Sequence, residues 1–212
     1  LPDRIVNKHD VVADDQLIAS DVDYQVDSKR KKGKPGNEFR TTKWLVDPSH
    51  RVIGYPTIDP CSTHQANETI KAERFYTIED NGLSKDWGTP ETPARIILNV
   101  PYDATKFWMA KFDQQVALGH IDEAVIIVNA RTDTQWFQNR ENMLRCFIRG
   151  RVSFDGVFAT GKPARNATVV LYHGRNPLMF ADVFGELGEI NAIVNIVDNK
   201  LVLAMDLQSQ AI

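Results

Sequence analysis

"ARIILNVPYDATKFWMAKFDQQVALGHIDEAVIIVNA", residues 94–130, is the stretch that decides the fold. An apolar run from Ala94 to Leu98 halts at Asn99, and the chain then turns through Pro101 and Tyr102. Phe107, Trp108, Phe112, Val116 and Leu118 follow with helix-like recurrence. Asp103 stands where an N-cap accepts the first free helical N–H groups, and Gly119 supplies the stop. "EAVIIVNA" is then a second buried strand. Strand, helix and strand in this order predict a mostly parallel sheet covered on both faces. Ligands of such sheets sit at the carboxyl ends of strands, where Asn99 and Arg131 fall.

Working outward, "VIGYPTID" reads as a short strand ending at Asp59, which belongs to the same edge, and "AERFYTI" as another. Thr132 to Leu144 reads as a helix carrying Trp136 and Phe137. "CFIRGRVSF" and "ATVVLYHG" read as strands, and "FADVFGELG" as a short helix ending at Gly188. The apolar runs of "IVNIVDNKLVLAM" flank Asp198-Asn199-Lys200 and predict a hairpin. Residues 41–212 form one α/β domain on this reading. Residues 1–40 form a separate extension, acidic at first and then basic in "KRKKGKPG". That basic run, with Lys31 and Lys32, is either a solvated arm or a loop against a nucleic-acid backbone.

The 212 residues, 42% of them hydrophobic, suffice for one substantial core. A net charge of -3 excludes a wholly basic nucleic-acid coat, but the average hides opposed regions. Between Asn129 and Arg175 eight cations face three acidic residues, whereas beyond Asn176 five acidic residues face Lys200 alone. A phosphate-facing surface on the basic segment follows. Cys61 and Cys146 are far apart and share no metal-ligand spacing with the histidines, so no metal is expected and a reducing compartment fits. With no apolar run near the roughly 18 residues that span a bilayer, and a polar "LPDRIVNKHD" start, the expectation is a soluble, cytoplasmic protein.

Taken in order, "TIDPCSTHQANETIKAERFYTIEDNGLSKDW", "NVPY", "NARTDTQWF", "RGRVSF" and "VVLYHG" resemble the bacteriophage-type DNA adenine N6-methyltransferase family, the Dam-like enzymes. The resemblance covers roughly residues 42–190. It implies a Rossmann-like fold that uses S-adenosylmethionine, with a mostly parallel central sheet, helices on both faces and one antiparallel strand near the edge. Double-stranded DNA is the implied partner, with no membrane. The family's Asn-Pro-Pro-Tyr signature corresponds to Asn99-Val100-Pro101-Tyr102, with Val100 departing from the pattern.

The chemistry explains why these residue types matter. The exocyclic nitrogen of adenine is a poor nucleophile because its lone pair is delocalised into the ring. Catalysis therefore needs acceptors that hold its hydrogens and favour a pyramidal nitrogen. Asn99 can supply one oxygen, and the resemblance assigns the second to the Val100 carbonyl, which a Pro-to-Val change preserves. Val100 precedes Pro101 and is therefore biased toward extended backbone. Tyr102 is either a half-buried aromatic or, by resemblance, a stacking face for a flipped-out base. The resemblance also implies cofactor contacts for Asp59 and for Asp86 with Trp87, although turn and core roles suit the same residues. Arg131 either pairs with Asp133 or reaches phosphate, and Arg149 and Arg151 bracket Gly150 in a basic turn suited to DNA. Two alternatives stand beside DNA methylation: a glutamine side-chain methyltransferase, and a DNA-binding module silenced by Val100.

Overall fold

The computed structural model describes residues 41–140, 142–153, 166–197 and 200–203. The 1–40 extension with Lys31 and Lys32, and the Asp198-Asn199 tip of the hairpin, lie outside the described residues. Nine strands are described: β1 (Ile58–Asp59), β2 (Arg74–Phe75), β3 (Ala94–Asn99), β4 (Ile121–Asn129), β5 (Leu144–Ile148), β6 (Thr168–His173), β7 (Gly188–Asn191), β8 (Val194–Val197) and β9 (Lys200–Leu203). Five helices accompany them: α1 (Lys43–Ile53), α2 (His64–Ile70), α3 (Thr105–Ala117), α4 (Gln135–Gln138) and α5 (Pro177–Gly185).

One seven-stranded sheet, in the order β2-β1-β3-β4-β6-β5-β7, forms the centre, and β8 with β9 forms the antiparallel hairpin expected from the sequence. Pairing is parallel from β2 to β4 and antiparallel from β4 onward. Chain direction along the sheet follows from these pairings. β5 runs the same way as β1 to β4, and β6 and β7 run oppositely. The antiparallel strand expected near the edge is thus two strands, and β6 lies inside the sheet between β4 and β5.

Period-two alternation along β3, β4 and β6 assigns side chains to two apolar layers. Ile97, Val125, Ile127, Val170 and Tyr172 pack with Leu45, Val46, Phe180 and Phe184 beneath α1 and α5. Ile96, Leu98, Ala124, Ile126, Val128 and Leu171 pack with Trp108, Met109, Phe112 and Phe137 beneath α3 and α4. Both faces are therefore covered, which is why β4 reads as a nearly unbroken apolar run.

Several elements differ from the sequence reading. Val52 and Ile53, expected in a strand, finish α1. Its buried Leu45, Val46, Ser49, Val52 and Ile53 recur at helical spacing, but Pro48 inside the helix masks the signal. Ser49 Oγ donates to the Leu45 carbonyl at 2.7 Å, while the carbonyl that Pro48 leaves without its helical N–H is that of Trp44. The helix expected over 132–144 shrinks to α4, because the Arg140 carbonyl is taken by the Met143 N–H and by Arg145 Nη2 rather than by a continuing helix. Asp103 is not the N-cap of α3. The cap is Ala104, and the Pro101 carbonyl accepts the Ala104 N–H at 3.0 Å in a tight turn just before it. α5 ends at Gly185, and Gly188, expected to end it, instead opens β7.

Candidate active site

Asp59, Asn99 and Asn129 end β1, β3 and β4, and Thr168 begins β6 opposite Asn129. All four occupy one edge of the sheet. Alternation puts them on one face as well, since Asp59 follows Ile58 of the α3 layer and Asn99 and Asn129 lie two residues beyond Ile97 and Ile127 of the α1 layer. The start of α1 reaches this same face. There Asn99 Nδ2 donates to Thr41 Oγ1 at 2.9 Å, which turns the other end of the amide, Oδ1, away from Thr41. Val100 points to the opposite face and is buried among the α3-layer residues. Its departure from proline therefore changes a packing contact, while its main-chain carbonyl stays in the turn.

Pro101 and Tyr102 follow in a well-braced turn, where Thr105 Oγ1 donates to the Tyr102 carbonyl at 3.2 Å. The Tyr102 ring is half-buried against the α1 layer, and burial pushes its hydroxyl up to about 12, so the ring stays neutral at any working pH. Asp59 is 4% exposed. Its Oδ1 accepts the Cys61 N–H at 3.1 Å, and the Ser62 side chain also bonds to it, yet burial outweighs both and raises the carboxyl to about 6. At the start of α1, Thr42 is the N-cap without a side-chain bond to the helix, and its buried Oγ1 has no partner among the described residues. A buried carboxylate, an uncapped helix start and an idle hydroxyl can hold the two charges of an amino-acid group.

Against known families, the chain matches the model described as DNA N-6-adenine-methyltransferase (Dam) over residues 30–175. The chain belongs to the Dam family. The resemblance read from the five motifs is therefore correct, and the family acts on adenine in DNA. Comparison with curated proteins finds no match.

Within this Dam chain the carboxylate of Asp86, which forms the second cofactor candidate with Trp87, is not brought to the Asn99 edge. Asp86 Oδ1 accepts from Gln115 Nε2 at 3.0 Å and lies 3.7 Å from His120 Nδ1, just ahead of β4, at the amino end of the strands. Trp87 is completely buried, donates its ring N–H to the Gly82 carbonyl at 2.8 Å and stacks on Trp108. Both faces of the indole belong to the core. A Cβ at Gly82 would collide with the Pro60 carbonyl, so the glycine is what lets this loop close against the end of β1.

The basic segment is also divided by the fold. Arg140 is 5% exposed and pairs with Asp113 at 2.8 Å, while Arg145 lies over the Phe137 ring and donates to two carbonyls. Arg175 pairs with Asp122 at the amino edge. Arg140 and Arg145 hold the fold, whereas the Arg175 side chain stays 86% exposed beside its ion-pair partner. Arg131, just past β4, forms two 3.2 Å bonds to Asp133, the pairing foreseen as one of its alternatives. Arg149 and Arg151 are exposed at the end of β5, on the Asn99 edge, around a Gly150 whose φ of +74° suits glycine. Among the described residues no cluster of metal ligands occurs and no helix is long and apolar enough to cross a membrane.

Sequence reasoning missed Thr41, Thr42, Asn129 and Thr168. Thr41 and Thr42 stand before an unrecognised helix. Asn129 and Thr168 were readable only as strand ends, with no sign that they would be neighbours.

Proposed function

We propose that this chain transfers a methyl group from S-adenosylmethionine to N6 of an adenine turned out of double-stranded DNA. The observation that carries the reading is the carboxyl end of β3, where Asn99 is followed by the Val100 carbonyl, the Pro101 turn and Tyr102, beside the buried Asp59 of the next strand. A parallel run of strands with helices on both faces and polar groups at the carboxyl edge supports a Rossmann-like reading of the domain.

S-adenosylmethionine supplies an electrophilic methyl on a sulfonium, and its methionine end carries both an ammonium and a carboxylate. Asp59 would hold the ammonium, and Thr42 with the start of α1 the carboxylate. Asp86 and Trp87 act on this reading as braces for the 82–87 loop rather than as cofactor contacts. Asn99 Oδ1 and the Val100 carbonyl accept the two N6 hydrogens and bring the nitrogen lone pair toward the methyl. Thr41 holds the Asn99 amide so that its oxygen, not its nitrogen, is presented. Tyr102 stacks on the base, which has to leave the duplex because paired N6 is out of reach. Arg149 and Arg151 contact the phosphate backbone at the same edge.

The test is incubation with unmethylated DNA and methyl-labelled cofactor, followed by mapping of methylated adenines. The unaltered chain transfers label to adenine, and Asn99→Ala loses it. No transfer, with calorimetry showing no cofactor binding, would refute the reading. Label on a glutamine amide instead would move the same site to a protein substrate.

A further inference from the structure

On the same edge as Asn99, two residues beyond its partner Ile127, lie two buried polar side chains that no described residue satisfies. Asn129 is 6% exposed and Thr168 is 1% exposed, and the two face each other as register partners on β4 and β6. Asn129 Oδ1 and Thr168 Oγ1 are both buried without a hydrogen-bond partner. Buried polar atoms in native proteins are almost always paired. Two orphans side by side therefore need a cause.

Their position narrows it. Along the carboxyl edge the order is Asp59 on β1, Asn99 on β3, Asn129 on β4 and Thr168 on β6, all on the α1 face. The pair thus lies on the side of Asn99 away from Asp59. If Asp59 marks the cofactor end, the Asn129 side is where the methyl acceptor enters. An asparagine amide offers an acceptor and a donor side by side, and adenine offers the complement, an amine hydrogen beside a ring nitrogen.

We propose that Asn129 reads that edge of the acceptor base, with Oδ1 taking an N6 hydrogen alongside the Val100 carbonyl and Nδ2 donating to the adjoining ring nitrogen, and that Thr168 positions it. Once the base fixes the amide, the Thr168 hydroxyl donates to the second lone pair of Asn129 Oδ1. One ligand then satisfies both orphans. The extra acceptor also favours the positive charge that develops on N6 as its bond to methyl forms. Asn129 would be a specificity-determining contact and Thr168 a positioning residue, both resting on the adenine-methylation reading above.

The experiment compares Asn129→Leu, Thr168→Val and Thr168→Ser with the unaltered chain in melting temperature and in methyl-transfer kcat/KM. The substrates are DNA containing adenine, 7-deazaadenine or 1-deazaadenine at a mapped site. Asn129→Leu should lose roughly 5- to 150-fold in kcat/KM, the size of one bidentate base contact, while melting no lower than the parent. Thr168→Val should fall in the same direction, and Thr168→Ser should recover. The unaltered chain should discriminate against one of the two deaza bases, and Asn129→Leu should not. Equal kcat/KM in Asn129→Leu and its parent, or a deaza penalty that survives the substitution, overturns the proposal while leaving adenine methylation standing. Absence of transfer by the unaltered chain removes both together.

Discussion

The two ends of the central sheet each bury a carboxylate, and they treat it in opposite ways. At the amino end Glu123, 8% exposed, accepts the Tyr172 hydroxyl at 2.7 Å and Asn176 Nδ2 at 3.3 Å, and Tyr172 in turn takes the Asn176 N–H at 2.8 Å. Asp86, Gln115 and His120 form a second closed set nearby. At the carboxyl end Asp59, although bonded by the Cys61 N–H and Ser62, is driven to about 6 by burial, and Thr42, Asn129 and Thr168 keep buried polar atoms with no partner among the described residues. Polar groups that satisfy one another hold a fold together. Groups that are buried and left idle destabilise the chain by itself, and a bound molecule that pairs with them would remove that cost.

The contrast can be broken most directly at Asn99. Replacing it with alanine should lower methyl transfer roughly 100- to 1,000-fold, the usual consequence of removing one preorganised polar contact to a transition state. Its melting temperature should change little, because Asn99 lies at a strand end. A loss of activity matched by a loss of folded protein would put Asn99 with the structural groups of the other end.

Asp59 sharpens the contrast through pH. Its folded value is raised, so its contribution to stability is fully present at low pH, where the group is protonated in both states, and is lost as pH rises through about 6. Asp59→Asn should therefore stabilise the protein above pH 6 by about 3 kcal/mol, with little gain near pH 4. Cofactor affinity should behave the opposite way, rising in the unaltered chain as pH climbs through about 6, because only the carboxylate pairs with an ammonium. Urea denaturation and cofactor titration across pH 5 to 8 check both. A variant less stable than its parent at pH 8 would make Asp59 a structural residue.

How much of this was legible follows from what each feature depends on. Asn99, Val100, Pro101 and Tyr102 were visible because they are consecutive and follow an apolar run, and β3, α3 and β4 because their periodicities are long. α1 was hidden by Pro48, and with it Thr41 and Thr42, whose value lies in where the helix starts. Trp87 was read with a ligand role and a core role side by side, because an aromatic next to an aspartate looks the same in sequence whether its ring faces a ligand or the core. Arg140 and Arg145 counted toward a basic surface although the fold uses both inside. Asn129 and Thr168, 39 positions apart, become a pair only when β6 inserts antiparallel beside β4. Local patterns reveal elements, whereas the site was assembled from strand order.

At the satisfied end the expectation reverses. Tyr172→Phe removes one hydroxyl and leaves Glu123 and the Asn176 N–H each short of a partner, which should cost about 1–3 kcal/mol. Methyl-transfer kcat/KM of the folded variant should equal that of the parent. Denaturation midpoints set against kinetics at a temperature well below melting distinguish the two ends, and a kinetic defect in Tyr172→Phe would abolish the division drawn between them.

The smallest effect concerns the arginines of the active edge. Arg149 and Arg151 flank a glycine turn at the end of β5, whereas Arg131 is locally neutralised by Asp133. A cation that contacts phosphate releases counterions on binding, so its removal shows in the salt dependence of affinity more clearly than in affinity itself. Arg149→Gln and Arg151→Gln should each reduce the slope of log K against log salt by about 0.9 on double-stranded DNA, and the pair by about twice that. Arg131→Gln should change it less, since its loss also frees the Asp133 carboxylate to repel the backbone and weaken binding without removing a phosphate contact. Slopes that are equal in all three variants and the parent would take the β5 turn off the DNA path and leave the active edge without a described phosphate contact.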